Sequence, residues 1–291
     1  MSKIIGSIGL GAMGGEYAKH LLENNFKVFG IDPDKKNSSS FITYGGVLLS
    51  NINDLLEKSN VIILSLPTVP IFHTVINEIE NCSYFTDPKV IIDMNTISLE
   101  DKLGAKNKLE KINISFVDAP VSGTGAQAKT KDLVVMSSGS EKIIDDCKDI
   151  FDSFARKNIF VGEFGNGIKF KILANLLVTV HNTVTAEALL LGQKVGLDSQ
   201  KIYEVLNEGA AKSVMLDKRM PLMISEDYEP ATASMRIFLK DIDVISNLLK
   251  QNNIISPTFD AAASLYNQSK DNIPITYDTA AIFEQLKINN K

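Results

Sequence analysis

Ile4-Ile5-Gly6-Ser7-Ile8-Gly9-Leu10-Gly11-Ala12-Met13-Gly14 is the stretch whose reading decides the fold. A short apolar run passes directly into glycines spaced G-x-G-x-x-G, and these open an apparent helix that continues through Leu22. In a strand–loop–helix that binds a dinucleotide, each glycine has its own purpose. Gly9 allows the tight turn, Gly11 lets the backbone approach a pyrophosphate, and Gly14 lets helix pack closely on strand. The amides of the helix start and its positive potential favour an anion there. The candidate cofactor loop is therefore Gly9, Leu10, Gly11, Ala12, Met13 and Gly14. The next apolar run, Lys27 to Ile31, ends at Asp32, where an acidic side chain can hydrogen-bond the ribose hydroxyls of a bound adenosine. An Asp before Pro33 is also an ordinary turn former. Asp32 with no arginine beside it favours NAD, while Lys35 and Lys36 keep NADP open through a possible contact with a 2′-phosphate.

Working outward, β-rich runs at Ile4 to Ile8, Lys27 to Ile31, Val61 to Leu66, Val90 to Met94, Ser115 to Ala119 and Leu133 to Ser138 alternate with helical patterns. Several are almost wholly apolar, as expected of central parallel strands covered on both faces. The expected fold is α/β, with an N-terminal doubly wound Rossmann sheet. Beyond Gly165 the strand signal stops. Gly167 to about Lys194 reads as one long helix, followed by helical spacing over Ser199 to Glu208, Ala233 to Gln251 and Pro257 to Ser269. Turn signals fall at Gly196, Pro221, Pro230 and Asn252-Asn253. The expected domains are 1–164, binding the dinucleotide, and 165–291, an all-α substrate and oligomerisation domain joined by the long helix.

A chain of 291 residues with 44% hydrophobic and 22% charged residues suits two globular cores. The net charge of −5 argues against a nucleic-acid partner, which needs clustered Lys and Arg. Cys82 and Cys147 are too few for a disulfide framework and lack the spacing of a metal site, so a reducing, cytoplasmic setting is expected. The three histidines form no metal motif. No segment reads as a signal peptide or as a membrane span, because the apolar run around Leu176 is interrupted by Asn175, His181 and Asn182.

Lys171 and Asn175 lie four residues apart on the long helix and so project from one face, where they can address one ligand. A lysine kept partly neutral by its surroundings can take the proton of a hydroxyl during hydride transfer, although a lysine on an amphipathic helix is often no more than a solvated charge.

These residues fall within a longer series in fixed order: Ile8 to Gly14, then Leu66-Pro67, Asp93-Met94-Asn95-Thr96-Ile97-Ser98, Asp118-Ala119-Pro120-Val121-Ser122-Gly123, Gly165-Asn166-Gly167 followed by Lys171 and Asn175, and Phe238-Leu239-Lys240-Asp241. The series resembles the β-hydroxyacid dehydrogenases, which include 3-hydroxyisobutyrate dehydrogenase and tartronate semialdehyde reductase and are related to 6-phosphogluconate dehydrogenase. The resemblance implies hydride transfer between a nicotinamide cofactor and a small β-hydroxyacid or its semialdehyde. It implies Lys171 as general acid/base with Asn175 holding the substrate beside it, and Ser122, Gly123 and Thr124 as a loop for the substrate carboxylate. It further implies Lys240 facing cofactor and substrate, and Leu66, Pro67 and Thr96 on the nicotinamide side. Members usually pair into homodimers or homotetramers.

The chain departs from the pattern at Thr124, where the family has a second glycine, and at Lys131-Asp132, where it has a glycine-threonine pair. Thr124 adds bulk and a hydroxyl, which with the absence of an arginine cluster points to a C3 to C4 substrate rather than a sugar phosphate. Two rival readings stay open: an imine reductase on the same scaffold, and a catalytically silent dinucleotide-binding module. Retention of Lys171 and Ser122 speaks against both.

Overall fold

Strand β1, Ile4–Ile8, occupies the middle of a parallel sheet because its side chains are apolar toward both faces. In this computed structural model, which describes residues 3–82, 85 and 87–291, β1 pairs on one side with β2, Lys27–Ile31, and through it with β3, Val47–Leu48. On its other side lies β4, Val61–Leu64, followed by β5, Lys89–Asp93, and β6, Ile114–Asp118. The strand order β3-β2-β1-β4-β5-β6 reverses direction at β1, which is the doubly wound topology expected from the sequence. The connecting helices are α1 Gly14–Glu23, α2 Lys35–Thr43, α3 Ile52–Lys58, α4 Val69–Glu80 and α5 Leu99–Glu110.

Strand alternation divides the core in two. Ile5, Val28, Ile63, Ile92 and Val117 pack with Tyr17 and Leu21 on one face. Ile8, Ile62, Leu64, Ile91 and Phe116 pack with Leu56, Phe72 and Leu109 on the other. Both faces are covered, which is why these strands read as continuous apolar runs.

Residues 133–138 correct one expectation. They form β8, Val134–Ser137, which leaves the parallel sheet and joins a second, three-stranded one with β7, Val121–Ser122, and β9, Lys157–Phe160. The chain between β7 and β8 is shorter than a parallel crossover needs, and β8 returns antiparallel to β7. An isolated antiparallel bridge, Asp118 to Ser138, links it to β6. The two-residue β3 and β7, and the largely exposed β9, carry no apolar run by which a sequence reader could find them. Helices α6 Gly125–Lys129, α7 Glu141–Asp146 and α8 Lys148–Phe154 complete this part.

The chain divides into two compact units, Met1–Lys171 and Ile172–Lys291. Helix α9, Asn166–Lys194, runs across that division. The second unit continues with α10 Ser199–Glu208, α11 Val214–Ser225, α12 Met235–Gln251, α13 Pro257–Gln268 and α14 Ile282–Asn289. Pro221, read from the sequence as a turn, lies inside α11. A proline there forfeits one helical hydrogen bond, a cost of about 3 kcal/mol. Burial of Leu216, Met220 and Met223 on the same helix offsets it. Arg219 is buried beside them, with Nη1 2.7 and 2.8 Å from the two carboxylate oxygens of Asp278. Asp278 in turn accepts the amides of Thr232, Ala233 and Ala280, which supply the carboxylate with the partners a buried charge needs.

Helix α9 also corrects the statement that no stretch approaches a membrane span. By length and composition it is long and apolar enough to cross a bilayer. Nearly half of its apolar window is buried against the protein, and Asn175, Thr179, Asn182 and Thr183 on it are buried.

Candidate active site

In a sheet of this topology, ligands bind beyond the carboxyl ends of the strands at the point where strand order reverses. The glycine loop lies there, leaving the end of β1. Gly9 has φ +91°, and a Cβ on it would stand 2.1 Å from the carbonyl oxygen of Ser65 at the end of β4. A Cβ on Gly14 would stand 2.1 Å from the carbonyl oxygen of Gly9. Gly11 differs: nothing lies within 4 Å of the place its Cβ would take. Two glycines therefore close the turn, and the third leaves open space beside the backbone. Helix α1 has Met13 at its N-cap and no side-chain cap; the Gly15 amide donates to the Gly11 carbonyl at 2.8 Å, and no side chain competes with an anion at the helix start. The loop fits a dinucleotide pyrophosphate on these grounds.

Asp32 follows β2 and is fixed by its neighbours. Its Oδ2 accepts the Leu10 amide at 2.6 Å and the Asn37 side chain at 3.3 Å, and its Oδ1 accepts the Asp34 amide at 2.8 Å. The turn-forming and ligand-facing readings of Asp32 are thus compatible, since Oδ1, with one hydrogen bond from this neighbourhood, has a second lone pair. The Leu10 side chain points into the core, 3% exposed, so Leu10 serves the loop's shape. Asp34 caps α2 through the amides of Lys36 and Asn37, and Lys35 and Lys36 stay exposed.

On the other side of β1, the Leu66 amide donates to Asn95 Oδ1 at 2.6 Å, and Asn95 Nδ2 donates to Asp93 Oδ1 at 2.6 Å. Pro67 is exposed and Thr96 half-buried, both just past strand ends. Asp93 and Asp118 terminate neighbouring strands, and both are fully buried. Between them lies Lys102 of α5, also fully buried, with Nζ 2.5 Å from Asp93 and 2.9 Å from Asp118. Burial pushes the Asp93 carboxyl above the usual carboxylate range, against the pull of Lys102. Burial alone would lower Lys102, but the two carboxylates outweigh it and hold the ammonium charged.

Asp118 does a second job. Its Oδ2 accepts the Ile168 amide at 2.8 Å and the Ser138 hydroxyl at 3.0 Å, while Ser138 Oγ accepts the amides of Gly165 and Gly167 at 3.2 and 3.0 Å. The start of α9 is thereby pinned to the carboxyl end of β6. Gly167 is needed at this contact, because a Cβ would come 2.4 Å from the Met136 carbonyl oxygen. Lys171, three residues beyond Ile168, is half-buried, whereas Lys169 is exposed.

Ser122 is exposed at the end of β7, and Gly123 has φ +135°, a conformation suited to glycine. The Thr124 amide is already engaged, donating to Gln127 Oε1 at 3.2 Å, and Gln127 Nε2 donates to Asp132. Thr124 and Gln127 thus form a capping box that opens α6, with Asp132 held against the same glutamine.

In the second unit, Asn175 is buried and donates through Nδ2 to Asp241 Oδ2 at 2.8 Å. Lys240 Nζ lies 3.1 Å from Asp241 Oδ1. Asp241, which the sequence offers only as the neighbour of Lys240, orients one candidate residue and neighbours another. Asn95, Lys102 and Gln127 had no role in the sequence reading; Thr124-x-x-Gln127 is a capping-box spacing that could have revealed Gln127, whereas Asn95 and Lys102 meet Leu66 and Asp118 only through folding. Two of the three histidines are engaged elsewhere: His20 is buried between Glu23 and the Ala128 carbonyl, and His73 pairs with Asp101. Among the described residues no group of His, Cys, Asp and Glu could hold a metal ion.

Comparison with known proteins agrees with this picture. Residues 4–162 match the NAD binding domain of 6-phosphogluconate dehydrogenase, and residues 165–286 match the NAD-binding domain of NADP-dependent 3-hydroxyisobutyrate dehydrogenase. The L-threonate dehydrogenase of Cupriavidus necator is 30% identical, over 91% of this chain and 90% of its own length. The 2-(hydroxymethyl)glutarate dehydrogenase of Eubacterium barkeri is 29% identical, over 90% and 87%. The fold is shared with the 3-hydroxyisobutyrate dehydrogenase of Mycobacterium tuberculosis, with a TM-score of 0.88, 23% identity and coverage of 99% of this chain and 100% of that one. With the glycine loop, the motif order and these likenesses in agreement, the chain belongs to the β-hydroxyacid dehydrogenase family of NAD(P)-dependent oxidoreductases.

Proposed function

We propose that this enzyme interconverts a C3 to C4 β-hydroxyacid and its semialdehyde, with Lys171 as general acid/base. The observation that carries this reading is the pinning of α9 by Asp118 and Ser138, which holds Lys171 one helical turn past the carboxyl edge of the sheet. The glycine loop opens from that same edge. The nicotinamide, when bound, would supply the hydride acceptor for oxidation and, in its reduced form, the hydride donor for reduction. In oxidation the Lys171 amine takes the hydroxyl proton as the carbonyl forms; in reduction the ammonium returns it. Ser122 and the Gly123 amide hold the substrate carboxylate. Pro67 and Thr96 line the nicotinamide side, and Asn175 and Lys240 carry the substrate roles that the resemblance implies for them. The domains we assign are 1–164 and 165–291, working in the cytoplasm.

The test is a panel of succinic, methylmalonic and tartronate semialdehydes and glyoxylate, each with NADH and NADPH. Turnover of at least one semialdehyde is expected, with NADH preferred; no turnover of any of them removes the substrate class. Asp32→Ala should narrow or abolish the preference for NADH, since the ribose hydroxyls lose their acceptor. A wild-type enzyme that prefers NADPH strongly would overturn the role given to Asp32.

We also propose a homodimer or homotetramer. Leu173, Leu177, Val184 and Leu191 form an exposed apolar row along α9. Their spacing of four and seven residues is that of a helix face packed against another helix. Light scattering should give at least twice the chain mass, and Leu177→Lys with Leu191→Lys should reduce it; a wild-type monomer at micromolar concentration would end this proposal.

A further inference from the structure

Lys102 is fully buried, carries a charge, and has no part in the proton transfer described above. Three charges taken out of water contribute little stability compared with apolar side chains of the same size, so such a cluster calls for another use. Each carboxylate that flanks Lys102 holds a different segment of the site. Asp93 Oδ1 accepts from Asn95 Nδ2 at 2.6 Å, and Asn95 Oδ1 accepts the Leu66 amide at 2.6 Å, which sets the backbone at the end of β4. Asp118 Oδ2 accepts the Ile168 amide at 2.8 Å, and Lys171 stands one turn further along the same helix. Lys102 Nζ joins the two arms, 2.5 Å from Asp93 Oδ2 and 2.9 Å from Asp118 Oδ1.

We propose that Lys102 is a positioning residue for the reaction. It ties the strand end beside the cofactor loop to the helix that carries the acid/base, so that the two keep one spacing through turnover. Reaction rate is sensitive to such spacing, because displacement by about 1 Å of a group that must meet the reacting atoms can cost about a hundredfold. The proposal rests on the reading of Lys171 as the acid/base.

Removing Lys102 alone would leave two buried carboxylates without a counter-charge, so the test pairs Lys102→Met with Asp93→Asn and keeps the net charge of the cluster unchanged. The full-length double variant is compared with wild type and with Lys171→Ala for NADH affinity, melting temperature, and kcat and KM per cofactor-binding site across pH. The expected result is kcat lowered about tenfold or more, with NADH affinity and KM within about threefold, and a displaced limb in the pH profile of kcat. A merely structural lysine would lower the melting temperature and the fraction of cofactor-competent protein but leave kcat per site and the pH limb as in wild type; that outcome overturns the proposal. If the double variant does not fold, Asn95→Ala leaves all three charges paired and cuts one arm. A fall of about fivefold or more in its kcat supports the proposal, and a kcat within about twofold of wild type overturns it. Should Lys171→Ala keep full turnover, the acid/base reading fails whatever the Lys102 variants do; should Lys171→Ala be inactive while these variants match wild type, the positioning role alone falls.

Discussion

Lys171→Ala lowers kcat about a thousandfold, inside the range of 10² to 10⁴ for loss of a general acid/base. NADH affinity stays within a few-fold, because the loop that holds the pyrophosphate belongs to other residues. The fold should survive, since Lys171 is half-buried and α9 keeps its anchors at Gly165, Gly167 and Ile168. The sign of the pH effect follows from the chemistry. Oxidation needs the amine neutral, so its rate rises with pH, and reduction needs the ammonium, so its rate falls; in the variant both limbs attributable to this group disappear. Rescue of the variant by added primary amines would tie the loss to a missing proton carrier rather than to disturbed packing. Turnover equal to wild type, measured with whichever semialdehyde the panel identifies, would remove Lys171 from the reaction.

Gly9→Ala destabilises the first unit by about 3 to 5 kcal/mol, from two sources. A residue with a side chain at φ +91° costs about 1 to 3 kcal/mol. The added methyl would also stand 2.1 Å from the backbone oxygen of Ser65, so β4 or the turn must move. The loss should lower the melting temperature by about 10 °C and abolish NADH binding at micromolar concentrations. Gly11→Ala is the informative companion. Its methyl meets nothing within 4 Å, so the protein should melt as wild type while NADH affinity falls, since the methyl takes space beside the backbone that a pyrophosphate must approach. Calorimetry and fluorescence titration of the two variants separate a glycine needed by the fold from one needed by the ligand. Normal NADH binding in Gly11→Ala would mean that the loop does not cradle the pyrophosphate.

The amino-acid sequence by itself determined the doubly wound sheet and the order of the site motifs, and the resemblance carried by that order implied the reaction class. These are written in local signals: the apolar runs of β1 and β2 have the bounds the sequence reading gives them, and α10 spans the expected Ser199–Glu208. Motif spacing is equally local, because a glycine loop or a lysine and asparagine four residues apart need only their own segment. Tertiary structure alone decided that residues 133–138 join a second sheet, that Pro221 lies within a helix, and that Asp241 holds Asn175. It also decided that Asp93, Lys102, Asp118 and Ile168 meet. Such features depend on which distant residues are buried together and which polar groups must then find partners away from water. No periodicity records that requirement, since a buried lysine in the polar helix α5 looks, as sequence, like any solvated one.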